Sequence, residues 1–292
     1  MASSKTARIE DRVRGSDAFL NREFPMSGRN FRVISKLAYD HSGIVLSDHK
    51  QQMVYSRLAR RIRELELPNF DVYLRQVNEH WDQESTAFLN ALTTNLTSFF
   101  RENHHFNYLA KQVVPELKKT HAHDKKIRVW CAAASTGEEP YSIGMVLRET
   151  FPANAWDIKI LATDIDSNVL TTAKEAIYGP DRVEDFNPSR LKKWFRKSLD
   201  GNYQIVDSIR SLLTFNQLNL LHSWPIKGPF DFVFCRNVII YFDQETQKTL
   251  FKKIHKVMAR DSHLFIGHSE SLFNVSQQFS LIGRTIYSRC NE

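Results

Sequence analysis

Cysteine, glycine and proline are scarce in this chain of 292 residues, which has 3 Cys, 10 Gly and 9 Pro. So few cysteines exclude a disulfide framework and fit a reducing compartment, and the few glycines and prolines argue against long low-complexity linkers. The longest apolar run, residues 230–242, is interrupted by Asp231, Arg236 and Asn237, so it is too short and too polar to span a bilayer. Residues 1–14 alternate charges without an apolar stretch, so we expect no secretory signal and a cytoplasmic protein.

Several motifs that would identify a common enzyme class are also absent. The chain has no G-x-G-x-x-G loop, no P-loop and no G-x-S-x-G elbow, which argues against the enzyme classes that these motifs mark. The run His268-Ser-Glu-Ser271 does not indicate a hydrolase, because adjacency in sequence is not triad geometry. Four histidines lack a matching cysteine set, so we expect no metal site: His104, His105, His121 and His123.

What is present is the composition of a soluble globular protein, with 42% apolar, 12% aromatic and 25% charged residues. The length allows one large domain or two smaller ones, either with a real core. With 40 basic and 33 acidic side chains, the formal charge is 40 − 33 = +7, which fits nucleic acid, an anionic membrane, an acidic protein partner or none of these. The aromatic residues occupy core-like positions and do not alternate with arginine on one face, so we expect no nucleic-acid binding.

The first third of the chain has the periodicity of helices. After a polar leader at residues 1–28, which we expect to be flexible, apolar residues recur at helical spacing from Phe31 and Ile34 onwards. No segment in this region alternates like a strand. We therefore predict an all-helical N-terminal domain over residues 29–95, followed by a linker segment over residues 96–124.

The rest of the chain alternates short apolar runs with helical segments. Strand-like runs such as Ile127–Ala134 and Ile158–Thr163 are each followed by a helical pattern, which is typical of parallel βαβ units with a sheet covered on both faces. Asp200-Gly201 between two further runs indicates a hairpin. We therefore predict an α/β domain over residues 125–292 with a small antiparallel β insert at about residues 179–211.

Two strand ends in the predicted sheet carry acidic residues suited to a ligand. The turn Ala134-Ser-Thr-Gly-Glu-Glu-Pro140 offers backbone N–H groups at a helix N-terminus, but Glu138 and Glu139 would repel a diphosphate and favour a cationic or hydroxyl-bearing ligand. Asp164 ends the next strand, where a carboxylate typically binds ribose hydroxyls. Together they predict a nucleoside-containing ligand without a diphosphate. The alternatives are an ordinary strand-to-helix turn and a helix N-cap, for which Asp166 is the better candidate.

Polar residues also follow two later strands. Arg236 and Asn237 come directly after the strand Phe230–Cys235, at the edge where open α/β sheets bind ligands. Burying them without a function would be costly, and a hydrogen-bonded core pair is the alternative. Asn219 and Leu220 occupy the equivalent place after another strand, which alone is a weaker signal.

One helix of the N-terminal region carries basic residues beside its apolar stripe. We refer to these four residues as the basic face: Lys50, Arg57, Arg60 and Arg61. The basic face is either a solvated surface or a contact for an acidic partner.

Taken together, five stretches resemble the chemotaxis receptor methyltransferases of the CheR family, and the resemblance runs from about Phe31 to Ser288. They are Ala91–Arg101, Val129–Ser142, Ala162–Asp166, Phe230–Phe242 and Gly267–Glu270. The resemblance implies an α/β fold: a Rossmann-like class I S-adenosyl-L-methionine methyltransferase domain with a small antiparallel β insert, preceded by an all-α domain. It also implies methylation of glutamate side chains on the cytoplasmic helical domain of chemoreceptors, with S-adenosyl-L-homocysteine as product, which sets adaptation in bacterial chemotaxis.

The resemblance further implies roles for individual residues. Those matched to cofactor-contacting positions are Asn95, Thr97, Arg101, Glu138, Asp164, Asn219, Leu220, Arg236 and Asn237. In the family Asp164 matches the ribose ligand, and Asn219 and Leu220 match the adenine side. Arg101 and Tyr241 match the catalytic centre, with Tyr241 facing the transferred methyl group.

The partner implied by the resemblance is the cytoplasmic helical bundle of a chemoreceptor, an acidic surface that the basic face would contact. We expect a monomeric enzyme without membrane insertion. Members that tether to a receptor tail peptide carry a longer turn in the insert. The turn between Phe195 and Val206 is short here, so we predict no tail docking.

Three other functions are open on the same sequence. A nicotinamide dehydrogenase would share the sheet topology but is disfavoured by the acidic first turn and the missing glycines. An RNA methyltransferase or another nucleic-acid module is suggested by the basic charge alone. A catalytically inactive scaffold of the same fold gains no support from the complete set of pocket residues.

Overall fold

The computed structural model describes Phe19 and residues 22–290. Most of the predicted leader, residues 1–18, 20 and 21, lies outside this described part. The chain divides into two compact units between Thr94 and Asn95, which we call the helical unit and the α/β unit. Within the described residues, every helix is too short or too polar to cross a lipid bilayer.

The helical unit confirms the predicted all-α architecture. It contains α1 (Gly28–Ser42), α2 (Gln51–Glu64), α3 (Phe70–Glu79) and α4 (Trp81–Leu92), with a 3-10 turn at Asp48–Lys50. The helices bury their apolar stripes, so that Ile34, Leu58 and Phe70 are fully enclosed. Ser27 forms a capping box at the start of α1, and Gly43, at φ 71°, ends that helix in the left-handed conformation.

The described end of the predicted leader packs onto the helical unit. Phe24 and Met26 are buried, and the Glu23 carboxylate accepts a hydrogen bond from Arg63 of α2 at 2.6 Å. The structure therefore differs from the expectation of a flexible leader at residues 22–28. The apolar side chains there are too few to form a periodic pattern, yet they reach the core.

Residues 96–124, predicted as a linker, instead contribute helices to the α/β unit. Helix α5 (His104–Tyr108) continues through a π-helical turn into α6 (Val114–Thr120). Phe106 and Leu109 are buried in the same apolar core as the central strands. The linker prediction is wrong, because Phe106, Leu109, Val113 and Leu117 recur at helical spacing and are buried.

A seven-stranded sheet forms the centre of the α/β unit, in the order β6-β2-β1-β7-β8-β10-β9. Its strands are β1 (Lys126–Cys131), β2 (Asp157–Asp164), β6 (Leu213–Gln217), β7 (Phe230–Phe234), β8 (Met258–Phe265), β9 (Phe279–Gly283) and β10 (Ile286–Arg289). The first five in this order pair in parallel, whereas β10 runs antiparallel to β8 and β9. The predicted parallel α/β fold is confirmed. Strand β9 was not predicted, because Phe279 is its one buried side chain and no apolar pattern marks it.

The sheet is buried on both faces, as its unbroken apolar runs predict. Val129 and Cys131 of β1 lie in one apolar cluster with side chains of α7 (Glu138–Thr150) and α8 (Ser167–Glu175). Trp130, between them in sequence, lies in the opposite cluster with α11 (Gln244–Val257). The polar residues that end these strands are therefore held on a rigid, doubly covered scaffold.

The insert is a separate antiparallel sheet of three strands in the order β3-β5-β4. Its elements are β3 (Ile177–Tyr178), α9 (Pro188–Trp194), β4 (Phe195–Lys197), β5 (Tyr203–Ile205) and α10 (Asp207–Arg210). Gly201, at φ 88°, lies in the turn that joins β4 to β5, so the hairpin predicted from Asp200-Gly201 is confirmed.

A buried ion pair joins α2 to α4. Arg61 donates to both carboxylate oxygens of Glu84, at 2.8 and 2.7 Å, and the Tyr73 hydroxyl donates to Oε1 at 3.2 Å. The Glu84 side chain is only 6% exposed. Removing the Arg61 charge would leave Glu84 buried without compensation, which is strongly destabilising. Arg61 itself is 26% exposed and also lies 3.6 Å from Glu64.

We expect Glu84→Gln to lower the free energy of unfolding by about 2 kcal/mol, because Arg61 and Tyr73 lose the charge of a buried hydrogen-bond acceptor. The matched control is Arg60→Gln, which breaks the exposed pair Arg60–Glu64 and should cost less than about 1 kcal/mol. Urea denaturation followed by circular dichroism measures both. Equal effects of the two variants would contradict the structural role of the buried pair.

Candidate functional site

Asp164, the predicted ribose ligand, is buried at the carboxyl end of β2. One carboxylate oxygen accepts from the Ser135 N–H at 2.8 Å and the other from the Asp166 N–H at 3.0 Å. Burial raises the pKa of Asp164, and these backbone hydrogen bonds oppose the rise. A carboxylate has about four lone pairs, so Asp164 can still accept a hydroxyl group. Asp166, in turn, is the N-cap of α8, as its position predicts.

Asn95 joins the loops that follow β1 and β2. Its Nδ2 donates to Asp166 Oδ2 at 2.7 Å, and its carbonyl oxygen accepts from Ser135 Oγ at 3.0 Å. Thr97 is half-buried two residues further on, and Arg101 ends the same segment. Three predicted site residues thus lie on one short stretch of chain, which is anchored at Asn95 to the two strand ends.

The loop after β1 turns sharply before α7 begins at Glu138. Gly137 has φ 100°, in the left-handed region, and an added Cβ would lie 2.8 Å from the Tyr178 hydroxyl oxygen. Glu138 is fully buried; its Oε2 accepts from Thr136 Oγ1 at 2.6 Å, and its Oε1 accepts from Arg182 of the insert. The carboxylate at this helix N-terminus is therefore held from two sides.

Arg236 is buried at the end of β7 and contacts three oxygen-bearing groups. Its Nη1 lies 2.5 Å from Glu139 Oε2, and its Nη2 donates to the Arg101 carbonyl oxygen at 2.7 Å. Nη2 also lies 3.2 Å from Glu102 Oε2. Burial raises the pKa of Glu139 although Arg236 opposes the rise. Arg236 is thus a paired core residue that also brings the Arg101 backbone to the strand end.

Glu102 is a residue that sequence reasoning missed. Its Oε1 accepts from Asn237 Nδ2 at 3.2 Å and from His268 Nδ1 at 2.9 Å. Burial acts to raise the pKa of Glu102, but the charge of Arg236 and these hydrogen bonds lower it to about 2. The signal in the sequence was weak: an acidic residue directly after Arg101.

Glu270 is a second missed residue, and it fixes the turn that carries Tyr241. This buried carboxylate accepts from the N–H groups of Gly267 at 2.5 Å, Asn237 at 2.9 Å and Ile239 at 2.9 Å. Burial raises the pKa of Glu270, against the effect of these bonds. Gly267 packs so closely that an added Cβ would overlap the Asn237 side-chain amide. The loops after β7 and β8 are therefore tied together beneath the 3-10 turn Ile239–Tyr241.

Asn219 and Leu220 follow β6, as predicted, but they differ in what they can offer. The Asn219 side-chain oxygen accepts from the Leu221 N–H at 2.9 Å. The Leu220 side chain is buried in the apolar core, and its carbonyl accepts from Lys253 at 2.9 Å. Leu220 therefore shapes this edge through its packing and backbone.

The basic face belongs to the helical unit, and two of its members bind within that unit. Arg57 donates to the carbonyl oxygens of Leu92 and Thr93 at 2.9 and 2.6 Å, which satisfies the end of α4. Arg61 forms the buried pair with Glu84. Arg60, by contrast, is 80% exposed.

Besides His268, two further histidines lie near Glu102: His104 and His105. Among the described residues, Glu102, His104 and His105 can place ligand atoms within 4.8 Å of one another. The charge of Arg236 on the same carboxylate opposes binding of a cation there. His105 Nε2 also contacts Thr285 Oγ1 at 3.0 Å.

We expect Glu102→Gln to destabilise the protein at neutral pH by about 3 kcal/mol, because Arg236 loses a buried partner. A carboxylate whose folded pKa is depressed from 4.5 to about 2 stabilises the fold above pH 4.5, and this contribution fades as pH falls towards 2. The difference between wild type and variant should therefore shrink over that range. Urea titrations at several pH values measure it. The control is Glu116→Gln, whose side chain is 59% exposed; a pH-independent difference for Glu102→Gln would contradict the prediction.

Comparison with known proteins assigns both units to one family. The CheR methyltransferase SAM binding domain matches residues 95–288, and the CheR methyltransferase all-alpha domain matches residues 29–93. The chain is 42% identical over 271 residues to a chemotaxis protein methyltransferase of Escherichia coli (strain K12), covering 90% of this chain and 91% of that protein. It is 39% identical over 277 residues to chemotaxis protein methyltransferase 2 of Pseudomonas aeruginosa, covering 94% and 97%.

Solved structures of other methyltransferases are more distant. A methyltransferase from Mesorhizobium loti that depends on S-adenosylmethionine has a TM-score of 0.30 at 14% identity, covering 55% of this chain and 54% of that chain. The glycopeptide N-methyltransferase MtfA, complexed with sinefungin, has a TM-score of 0.31 at 12% identity, covering 54% and 49%. These scores are too low to add to the sequence matches, which extend over nearly all of the described residues. On those matches, the chain belongs to the CheR methyltransferase family and is a chemotaxis protein methyltransferase with S-adenosylmethionine as its cofactor.

Proposed function

We propose that this enzyme transfers methyl groups from S-adenosylmethionine to glutamate side chains on the cytoplasmic helical bundle of a chemoreceptor. It acts in the cytoplasm as a monomer and sets adaptation in bacterial chemotaxis. The observation that carries the proposal is the convergence of Asn95, Asp164 and the Arg101 backbone on the carboxyl ends of parallel strands. In a chain of the CheR family, this is the edge where an α/β sheet binds its ligand.

The residues at this edge fit the chemical groups of S-adenosylmethionine. Asp164 keeps lone pairs for the ribose hydroxyls, and Asn219 and Leu220, after the neighbouring strand β6, suit the adenine side. The buried carboxylate of Glu138 suits the ammonium group, and the Arg101 guanidinium suits the carboxylate of the methionine end. The remaining members of the proposed cofactor site are Asn95, Thr97, Arg236 and Asn237.

Catalysis in this proposal depends on orientation and needs no proton transfer. Bound S-adenosylmethionine supplies an electrophilic methyl group on a sulfonium. A glutamate acceptor, with an ordinary pKa of about 4.3, is already ionised at neutral pH and needs no general base. Tyr241 and Arg101 hold the reacting groups in line, and exclusion of water strengthens their electrostatic contacts.

We expect methyl-labelled S-adenosylmethionine to label a purified chemoreceptor, and mild base to release the label as methanol. Glutamyl methyl esters hydrolyse in mild base, whereas N-methyl products do not. Tyr241→Phe should lower turnover by about tenfold, because the hydroxyl contributes orientation, and should leave the calorimetric affinity for S-adenosylmethionine within about twofold. Base-resistant label, or label on RNA, would contradict the proposed reaction. Loss of cofactor binding in Tyr241→Phe would contradict the role of Tyr241.

We also propose that the basic face contacts the receptor through Lys50 and Arg60. Arg57 and Arg61 are bound within the helical unit, whereas Arg60 forms an exposed pair with Glu64 one turn away, at 3.1 Å. Lys50 is the residue that precedes α2. Lys50 and Arg60 then attract an acidic receptor helix by long-range, salt-sensitive steering.

Combining Lys50→Glu with Arg60→Glu should lower the receptor methylation rate about fivefold at low ionic strength and weaken its salt dependence. The matched control is Lys36→Glu on α1, because Lys36 is 76% exposed and forms a similar pair with Asp40 at 2.7 Å. Initial rates over a salt series measure both. An unchanged rate in the double variant, or an equal loss in the control, would refute the assignment of this surface.

In this proposal, the length of the turn in the insert determines whether the enzyme can bind the receptor's tail peptide. The turn between β4 and β5 spans residues 198–202, which is short beside the turn expected of a tail-binding member. We propose that methylation by this enzyme does not depend on the receptor's C-terminal tail peptide.

A further inference from the structure

The insert contacts the loop of the proposed cofactor site at three consecutive residues, Thr136 to Glu138. The Tyr178 hydroxyl of β3 donates to the Thr136 carbonyl oxygen at 2.8 Å. Arg182 Nη2 donates to Glu138 Oε1 and approaches Thr136 Oγ1 at 3.4 Å. Gly137, between these residues, has no space for a side chain because the Tyr178 hydroxyl is so close. The shape of this loop is therefore set from the insert.

The insert also packs against the segment that carries Asn95, Thr97 and Arg101. The Phe99 ring lies 4.9 Å from the Tyr178 ring and 5.5 Å from the Phe195 ring, centroid to centroid, in edge-to-face geometry. Edge-to-face pairs of this kind are stabilising beyond their buried area. Two separate pieces of the proposed cofactor site thus rest on one small sheet.

We propose that Arg182 is a positioning residue for cofactor binding, which orients the Glu138 carboxylate towards the amino-acid end of S-adenosylmethionine. The inference rests on the proposed role of Glu138, but not on glutamate as the methyl acceptor. The insert is then a support of the cofactor site in its own right, whatever it does towards the receptor.

The burial of the two partners explains why Arg182 matters. The Glu138 side chain is fully buried, whereas Arg182 is 36% exposed and reaches in from the insert. Arg182 donates to one Glu138 oxygen and Thr136 to the other, so the two contacts together fix the orientation of the carboxylate. Without Arg182, Glu138 would be a buried carboxylate without a nearby cation, an arrangement that a protein avoids by rearranging the group.

Calorimetric titration with two ligands tests the proposal. S-adenosylhomocysteine carries the amino-acid end, and 5′-methylthioadenosine lacks it. Arg182→Gln should weaken S-adenosylhomocysteine binding about tenfold, because Glu138, no longer held in place, loses its charge-assisted hydrogen bond to the ligand's ammonium group. Binding of methylthioadenosine should change less than about twofold. Arg182→Lys, which keeps the charge without the planar fork, should fall between wild type and Arg182→Gln.

The control variant is Arg196→Gln, on the exposed side of the insert, where Arg196 donates to backbone carbonyls of Lys192 and Phe195. It should leave both affinities unchanged. Unchanged binding of S-adenosylhomocysteine by Arg182→Gln would overturn the proposal. Equal losses for both ligands would overturn it too, because they would indicate a general effect on folding. Neither titration contains a methyl acceptor, so the result is independent of which side chain the enzyme methylates.

Discussion

The buried guanidinium of Arg236 is the contact on which the polar edge of the α/β unit depends. Arg236 contacts three parts of the unit. It binds Glu139 of α7, the carbonyl oxygen of Arg101 in the stretch that starts at Asn95, and Glu102, which lies just before α5. A buried cation is costly unless it is paired and hydrogen-bonded. Two carboxylates and a carbonyl oxygen offset that cost here. If one of these three parts moved away, Arg236 or its carboxylate partner would remain as an unpaired charge in the protein interior.

The pKa values of the buried acidic residues are set by the balance between burial and neighbouring groups: Glu139 contacts Arg236 at 2.5 Å, yet burial still raises its pKa. Glu270 accepts from several backbone N–H groups, and Asp164 from two, yet burial raises the pKa of both. In Glu102, burial acts in the same direction, but the charge of Arg236 and the side-chain hydrogen bonds outweigh it. The site therefore contains carboxyl groups of different acidity, arranged by their neighbours.

Much of the fold could be predicted from local sequence, because its signals are local. Apolar runs predicted β1, β2 and β7. Asp200-Gly201 predicted the hairpin, and the position of Asp166 predicted the N-cap of α8. The parts that were missed depend on distant partners. Glu102 meets Asn237 across 135 positions of the chain, and no periodic pattern marks such a pair.

The dependence on distant contacts also explains which site residues could be predicted from the sequence and which could not. Arg236 and Asn237 drew attention because a charged and an amide side chain follow a buried strand directly. Glu270 has a comparable structural role, but it lies within the polar run His268–Ser271, where an acidic residue is ordinary. No sequence pattern marks a buried carboxylate that accepts hydrogen bonds from backbone N–H groups. Only its tertiary contacts identify it.

The close approach of Gly267 to the Asn237 side chain has a consequence for how the sequence can vary. A larger residue at 267 would overlap the Asn237 amide and crowd Glu270, whose oxygens bind the backbone of both loops. Positions 237, 267 and 270 are thus structurally coupled, because a larger side chain at 267 displaces the Asn237 amide and the carboxylate that holds both loops.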